Sequence, residues 1–143
     1  MLAALAAFLC AVTGSDLIAR MTIAGDTFSH AVAGHLRWAS LTIGGMLLLF
    51  IPFGGAALIC GGADKRAKTR GVLTLFLVAV AALAYLYFGA FQAAAQAMLD
   101  KRWTAAALLI GLLPFFVGLP SLGVVAIAAA IIVRIDKRRT AER

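Results

Sequence analysis

Thirty consecutive residues, from Thr104 to Val133, carry no charged side chain. As one α-helix this run would be about 45 Å long, whereas the hydrocarbon core of a bilayer is about 30 Å thick. Three more apolar runs precede it, at residues 2–19, 38–62 and 71–91, the first interrupted by Asp16. Because a helix satisfies its own backbone hydrogen bonds in lipid, these runs predict an all-α integral membrane protein with four transmembrane helices.

The composition excludes the main soluble alternatives. Hydrophobic residues make up 64% of the chain and charged residues 13%, whereas soluble domains average about 45–50% and about 25%. A soluble domain of 143 residues could not bury so much apolar surface, and intrinsic disorder requires low hydrophobicity with high charge. We predict one transmembrane domain over residues 1–143, in which the fourth span covers 104–135 and a basic tail covers 134–143.

The first run can cross a bilayer only if its helix continues through Asp16 towards Arg20. Thirteen residues of helix, from Leu2 to Gly14, reach about 20 Å, and eighteen residues reach about 27 Å. Asp16 and Arg20 are four residues apart, so a helix places them on one face, where their charges can pair. A signal peptide is the alternative. No lysine or arginine precedes the apolar stretch, and we therefore favour a short first transmembrane helix.

The fourth run is too long for one straight span, and two prolines offer a break. Pro114 and Pro120 each remove a backbone amide, which frees the carbonyl four residues earlier. We predict that this helix bends between Gly111 and Gly123. The bend is either a packing feature or a place where freed carbonyls coordinate an ion, as in the discontinuous helices of transporters.

The distribution of lysine and arginine predicts the orientation of the helices. Nine basic residues fall in the loop at 63–70 and the tail at 134–143, and four fall on the opposite side. Because cytoplasmic loops carry the excess of positive charge, we expect both termini in the cytoplasm, as in a protein of the bacterial inner membrane. The basic side chains expected to contact anionic lipid headgroups are Lys65, Arg66, Lys68, Arg70, Arg134, Lys137, Arg138 and Arg139.

The same topology places the large amphipathic aromatic residues on the external side, where they would form an interfacial belt. These residues are Trp38, Tyr85, Tyr87 and Trp103. Nucleic acid is not an expected partner despite the net charge of +7, because no basic stripe with interleaved aromatic residues is present.

The first external loop, at residues 21–37, is expected to contain a short amphipathic helix in the membrane interface. Asp26, His30 and Arg37 fall on one helical face, and apolar side chains fall on the other. Asp26 and His30 are spaced to form a hydrogen-bonded pair. His30 and His35 are five residues apart and point in different directions, whereas two metal-binding histidines on a helix require a spacing of four.

No motif in the sequence predicts a catalytic or metal-binding site. All six acidic residues lie at expected helix ends or in loops, whereas proton-coupled transporters usually bury an ionisable group within a span. The serines lack the Gly-x-Ser-x-Gly context, and a nucleophile needs a base within hydrogen-bond reach. We therefore expect no enzymatic activity, no metal and no cofactor. If a cofactor does bind, His30 and His35 are the candidate ligands.

Small residues spaced four apart recur along the apolar runs, as in Ser40 with Gly44 and Ala126 with Ala130. In lipid such faces permit close helix contacts. The leading hypothesis is a non-enzymatic accessory or structural subunit of a larger membrane complex, bound to other subunits or to copies of itself. One alternative is a small homo-oligomeric transporter or channel with a kinked fourth helix. Another is a redox- or quinone-associated membrane protein that uses His30 or His35.

Overall fold

A computed structural model describes residues 1–67 and 70–141, with side chains as far as residue 138. The described residues form six α-helices and one π-helix: α1 (Leu2–Thr22), α2 (Phe28–Leu41), α3 (Ile43–Ala67), α4 (Arg70–Leu99), α5 (Trp103–Gly111), the π-helix (Pro114–Gly118) and α6 (Leu119–Ala141). Four helical stretches within these ranges are long and apolar enough to cross a membrane. They are α1, α3, α4 and the combined stretch Trp103–Arg138. The predicted all-helical architecture with four long apolar helices is confirmed.

The first helix continues through Asp16, as its spacing from Arg20 predicts. α1 contains 21 residues, which corresponds to about 31 Å, and the Arg20 Nε donates to Asp16 Oδ2 at 2.8 Å. Beyond it, the amide of Asp26 donates to the Arg20 carbonyl at 3.0 Å. Gly25 has a φ of 73°, a conformation that favours glycine because it has no β-carbon. This turn reverses the chain and lets α2 pack against α1.

The second apolar run, predicted to begin at residue 38, is divided between two helices. α2 ends at Leu41 and α3 begins at Ile43, so Trp38 belongs to α2. Between the helices, Thr42 adopts φ −120° and ψ 37°, and its hydroxyl donates to the Trp38 carbonyl at 2.7 Å. Because the residues on both sides of this junction are uncharged, the length of the run does not reveal the change of backbone direction.

The long helices pack around two core clusters. α1 packs on α4 and α3, α6 packs on α3 and α4, and α5 packs on α4. The first cluster joins α1, α3 and α4 around Phe8, Phe53 and Tyr87. The second joins α3, α4 and α6, with Val72 and Val125 among its buried residues. α3 and α4 contribute to both clusters and therefore link the two halves of the fold.

Tyr87 lies inside the bundle, and its predicted place in an interfacial belt is wrong. Its side chain is fully buried, and its hydroxyl donates to the Leu49 carbonyl at 2.8 Å. Its ring makes an edge contact with Phe53, with 5.3 Å between centroids. A buried phenol needs an acceptor, and α3 supplies one close to Pro52, where the proline interrupts the helical hydrogen bonds.

The fourth run is not one regular α-helix. α5, the π-helix Pro114–Gly118 and α6 follow one another, and the irregular part falls within the interval predicted for a bend. The amides of Phe115 and Phe116 both donate to the Leu112 carbonyl at 3.0 Å. Pro114 begins the π-helix, and Pro120 is the second residue of α6. Both prolines therefore lie where the backbone hydrogen-bond pattern changes.

Gly118 allows the π-helix to approach α3 closely. Gly118 and Pro52 are both buried, and a β-carbon at position 118 would overlap the Pro52 ring. One turn further along, a β-carbon at Gly55 would lie 2.8 Å from the Leu122 side chain. The pairing of 52 with 118 and of 55 with 122 shows that α3 and α6 run in the same direction.

Candidate functional site

Four side chains of α1 and α2 form a polar network: Thr13, Asp16, Arg20 and His35. The His35 Nδ1 donates to Asp16 Oδ2 at 2.9 Å, and the Arg20 Nε donates to the same oxygen at 2.8 Å. The His35 Nε2 lies 3.2 Å from the Thr13 Oγ1. Because an ionised carboxylate only accepts hydrogen bonds, Nδ1 carries a proton, and in the neutral ring Nε2 accepts from the Thr13 hydroxyl.

The polar network is largely withdrawn from the surface. Asp16 is 8% exposed and His35 is 6% exposed, whereas the Arg20 side chain keeps 28% of its exposure. A buried carboxylate without partners is costly, because it loses its hydration. The two charge-assisted hydrogen bonds offset that loss and hold the Asp16 carboxylate inside the protein.

Helical spacing and the turn at Gly25 bring these residues together. Thr13, Asp16 and Arg20 are three and four residues apart and therefore share one face of α1. Gly34, on α2, leaves space for the Arg20 guanidinium, since a β-carbon there would lie 2.7 Å from Nη1. The network therefore depends on small residues as well as on its polar groups.

The face by which α2 contacts the bundle differs from the two faces expected for an amphipathic helix. Its buried residues are Ala31 and His35, which are one helical turn apart. Phe28 is 64% exposed and Leu36 is 63% exposed, and His30 on the predicted polar face is also exposed. The α2 helix is present, and its location in a membrane interface stays a prediction.

A cavity of about 110 Å³ adjoins the polar network. Asp16 and Arg20 supply polar atoms to its wall, and Trp38, Phe91 and Ile110 are among its apolar lining residues. Trp38 makes an edge contact with Phe91, with 5.7 Å between centroids, and its ring lies 5.9 Å from that of His35. The cavity therefore places one ion pair beside aromatic walls.

An aromatic layer lies between the polar network and the opposite end of the bundle. Phe8 makes edge contacts with Phe50 and Phe53, with centroids 5.4 and 5.7 Å apart. Phe53 in turn contacts Tyr87. These rings form a continuous apolar layer among α1, α3 and α4.

The order of hydrogen bonds from Asp16 through His35 to Thr13 matches that of an acid–base–hydroxyl triad. Thr13, however, lies within α1, where the backbone amides bind helical carbonyls and leave no donor pair for an oxyanion. The Asp16 carboxylate is also shared with Arg20. The geometry joins two helices, and it is poorly arranged for nucleophilic attack by the Thr13 hydroxyl.

The two candidate ligands for a cofactor have different surroundings. His30 is exposed and forms no hydrogen bond with Asp26 in the described part of the chain. His35 uses both ring nitrogens within the polar network. Among the described residues, no three histidine, cysteine or acidic side chains come together as a metal-ligand set. The structure therefore gives the two histidines different surroundings: His30 is exposed, and the His35 ring is engaged in the polar network.

Sequence reasoning missed the partnership of His35 with Asp16, and it missed Gln92, a half-buried residue whose side-chain nitrogen is buried. The Gln92 Nε2 has no hydrogen-bond partner among the described residues. Gln92 follows Phe91, which lines the cavity. An unsatisfied buried amide costs about 1–3 kcal/mol, so the Gln92 Nε2 is a polar atom whose burial the described residues do not offset.

The basic side chains predicted to contact lipid lie at the opposite end of the bundle. Those that the structure describes are exposed: Lys65, Arg66, Arg70, Arg134, Lys137 and Arg138. Lys68 lies outside the described residues, as does the side chain of Arg139. Arg66 of α3 and Arg134 of α6 line the same groove, so the fold brings the loop and the tail together.

No protein-family model, no curated protein and no solved structure matches this chain. Function is therefore inferred from the polar network, the cavities and the distribution of charge.

Proposed function

We propose that this chain is a small multi-pass protein of the bacterial inner membrane and acts as a non-enzymatic accessory subunit of a larger membrane complex. The observation that supports this role best is the closed polar network. Its charged groups are engaged between α1 and α2, and the aromatic layer separates them from the basic end. Away from the basic end, the surface offers mainly apolar packing, which is what a partner helix requires.

The surface offers a specific place for such a partner. A groove of about 530 Å³ lies between α4 and the α5–π-helix stretch, and its lining residues are apolar. Small side chains at Ala90 and Ala105 lie between larger ones such as Leu108 and Phe116. In lipid, where tails are as apolar as leucine, an uneven face of this kind favours association by close packing.

Filling this groove tests the proposal. Ala105→Phe places a ring in the groove, whereas Ala107→Phe places one on the same helix about 200° away. Both alanines are exposed, and only Ala105 lines the groove. After purification in mild detergent, native mass spectrometry should find stoichiometric partner subunits with the wild type and with A107F, and fewer with A105F. A wild-type chain that purifies alone, or only as copies of itself, would contradict the accessory-subunit role.

A coupled transporter is the second candidate, and one observation favours it. The Asp16–His35 pair is buried beside a cavity, and intramembrane ionisable residues often mark ion or proton pathways. Reconstituted vesicles with an entrapped pH-sensitive dye provide the test. A transporter should conduct protons faster than protein-free vesicles, and Asp16→Asn should abolish the difference while Asp26→Asn leaves it. Wild-type flux equal to that of empty vesicles would exclude this candidate as a proton-coupled system.

A further inference from the structure

A groove of about 410 Å³ lies between α3 and α6, and it ends in two arginines. On α3 its lining residues run from Leu58 to Arg66, and on α6 they run from Ala126 to Arg134. Since α3 and α6 run in the same direction, Arg66 and Arg134 lie together at the end of the groove. Its volume is within the range of about 300–1,000 Å³ that is common for ligand pockets.

The rest of the groove is apolar, and most of its lining residues are small. Ala63 and Ala129 are buried in the second core cluster and form the floor. Gly62 and Ala126 are exposed, and a β-carbon at Gly62 would meet no atom within 4 Å. One end of the groove is therefore cationic, and the remainder offers open apolar space.

The two arginines are available to a ligand. Arg66 and Arg134 are exposed and form no ion pair with another described residue. Asp64 lines a different groove, and Asp136 lies two positions beyond Arg134, about 200° around the helix. Lys65 and Lys137 add positive charge at the same end. A guanidinium presents a planar fork of donors that matches two phosphate oxygens.

We infer that this groove is a binding site for one anionic phospholipid. The lipid phosphate lies between Arg66 and Arg134, and one acyl chain follows the small residues from Gly62 and Ala130 towards Leu58. Only an amphiphile with an anionic head satisfies both zones at once, and basic pockets between transmembrane helices are known to bind anionic lipid headgroups. The inference rests on the membrane insertion that is part of the proposed function, and it is independent of any protein partner.

The test compares matched variants of the full chain in mild detergent. The delipidated protein is titrated with phosphatidylglycerol and with phosphatidylcholine of the same acyl chains, and bound lipid is counted by native mass spectrometry. R66Q/R134Q removes the two groove charges, whereas K65Q/K137Q removes two charges at the same end outside the groove. At about five-fold per basic residue, we expect R66Q/R134Q to weaken phosphatidylglycerol binding roughly twenty-five-fold. K65Q/K137Q should weaken it far less.

A second pair of variants tests the acyl-chain zone without changing charge. Gly62→Leu fills the groove, whereas Gly61→Leu points into the neighbouring groove. We expect G62L to weaken phosphatidylglycerol binding and G61L to leave it unchanged. Competition by inorganic phosphate at equal concentration, with no effect of G62L, would show an ion site in place of a lipid site.

Three further results would overturn the inference. They are equal loss in the two double variants, equal binding of the two lipids by the wild type, and loss of a co-purified protein from R66Q/R134Q with unchanged lipid binding. These results can be distinguished from failure of the accessory-subunit role. If only that role fails, the chain purifies without partner subunits and still binds phosphatidylglycerol. Fractionation of the chain with membranes confirms that insertion itself is intact in every variant.

Discussion

The two histidines illustrate how much a residue's surroundings decide its role. His35 is buried and hydrogen bonded at both ring nitrogens, whereas His30, five residues earlier on the same helix, is exposed. The loss of His35 should therefore leave Asp16 with one buried donor fewer. Loss of His30 removes an exposed side chain without a hydrogen bond among the described residues.

We predict that His35→Ala lowers the free energy of unfolding by about 1–2 kcal/mol, because it breaks a hydrogen bond to a buried carboxylate. His30→Ala should change it by less than about 0.5 kcal/mol. Unfolding in mixed micelles by titration with sodium dodecyl sulfate, followed by circular dichroism, measures both. Equal effects of the two substitutions would mean that the His35–Asp16 contact does not contribute.

A double-mutant cycle then tests the pairing itself. Asp16→Ala, His35→Ala and the double variant should show a coupling energy of about 0.5–2 kcal/mol, since residues in one network are not additive. The matched cycle of Asp16 with His30 should give no coupling. Additive effects in the first cycle would show that Asp16 and His35 contribute to stability independently, which would contradict the pairing.

For individual side chains, the sequence predicts pairs within one helix and misses pairs between helices. The pairing of Asp16 with Arg20 follows from a spacing of four residues, and the structure confirms it. His35 is 19 residues from Asp16, a separation that no helical period connects. A signal was present nevertheless. Gly25, with its positive φ, lies nearly midway between Asp16 and His35, and a helical hairpin places residues equidistant from its turn side by side.

At the scale of helices, length and charge predict the long elements well, because a run without charges that exceeds a bilayer's thickness has few other folds. The joins are harder to predict. The boundary between α2 and α3 lies inside an uncharged run, so it depends on tertiary contacts such as those of Trp38 with Phe91. The prolines indicate where the backbone hydrogen-bond pattern of the fourth run changes. The close approach of α3 to the π-helix is not predictable in this way, because it depends on Pro52 of another helix packing beside Gly118.

Glycines at 118 and 123 should therefore respond in opposite ways to the same substitution. Gly118→Ala forces a methyl group against the rigid Pro52 ring and should destabilise the protein by about 1–3 kcal/mol. Gly123 lies within α6 and has open space beside it, so Gly123→Ala should stabilise the helix by up to about 1 kcal/mol. The same detergent titration measures both. A stabilising Gly118→Ala would contradict the close contact.

The whole molecule is asymmetric along its helices. The polar network and its cavity lie near one end, where α1 meets α2. The exposed basic side chains of the loop and tail lie at the other end, where α3 and α6 carry Arg66 and Arg134. A membrane protein orients the side richer in lysine and arginine towards the cytoplasm. We therefore expect the proposed lipid site in the cytoplasmic leaflet and the polar network in the external half of the membrane.

We predict this orientation for the chain in its native membrane, and single cysteines can test it. Cys10 is exposed and Cys60 is buried, and both are free, so the background variant replaces both with alanine. Cysteines are then introduced singly at Ser29 and Lys65, which are exposed positions near opposite ends of the fold. A membrane-impermeant maleimide should label the Ser29 position in intact cells and the Lys65 position only after lysis. The reverse pattern would place the polybasic end outside the cell. It would contradict the orientation predicted from the basic residues, the cytoplasmic termini and the placement of the lipid site in the cytoplasmic leaflet.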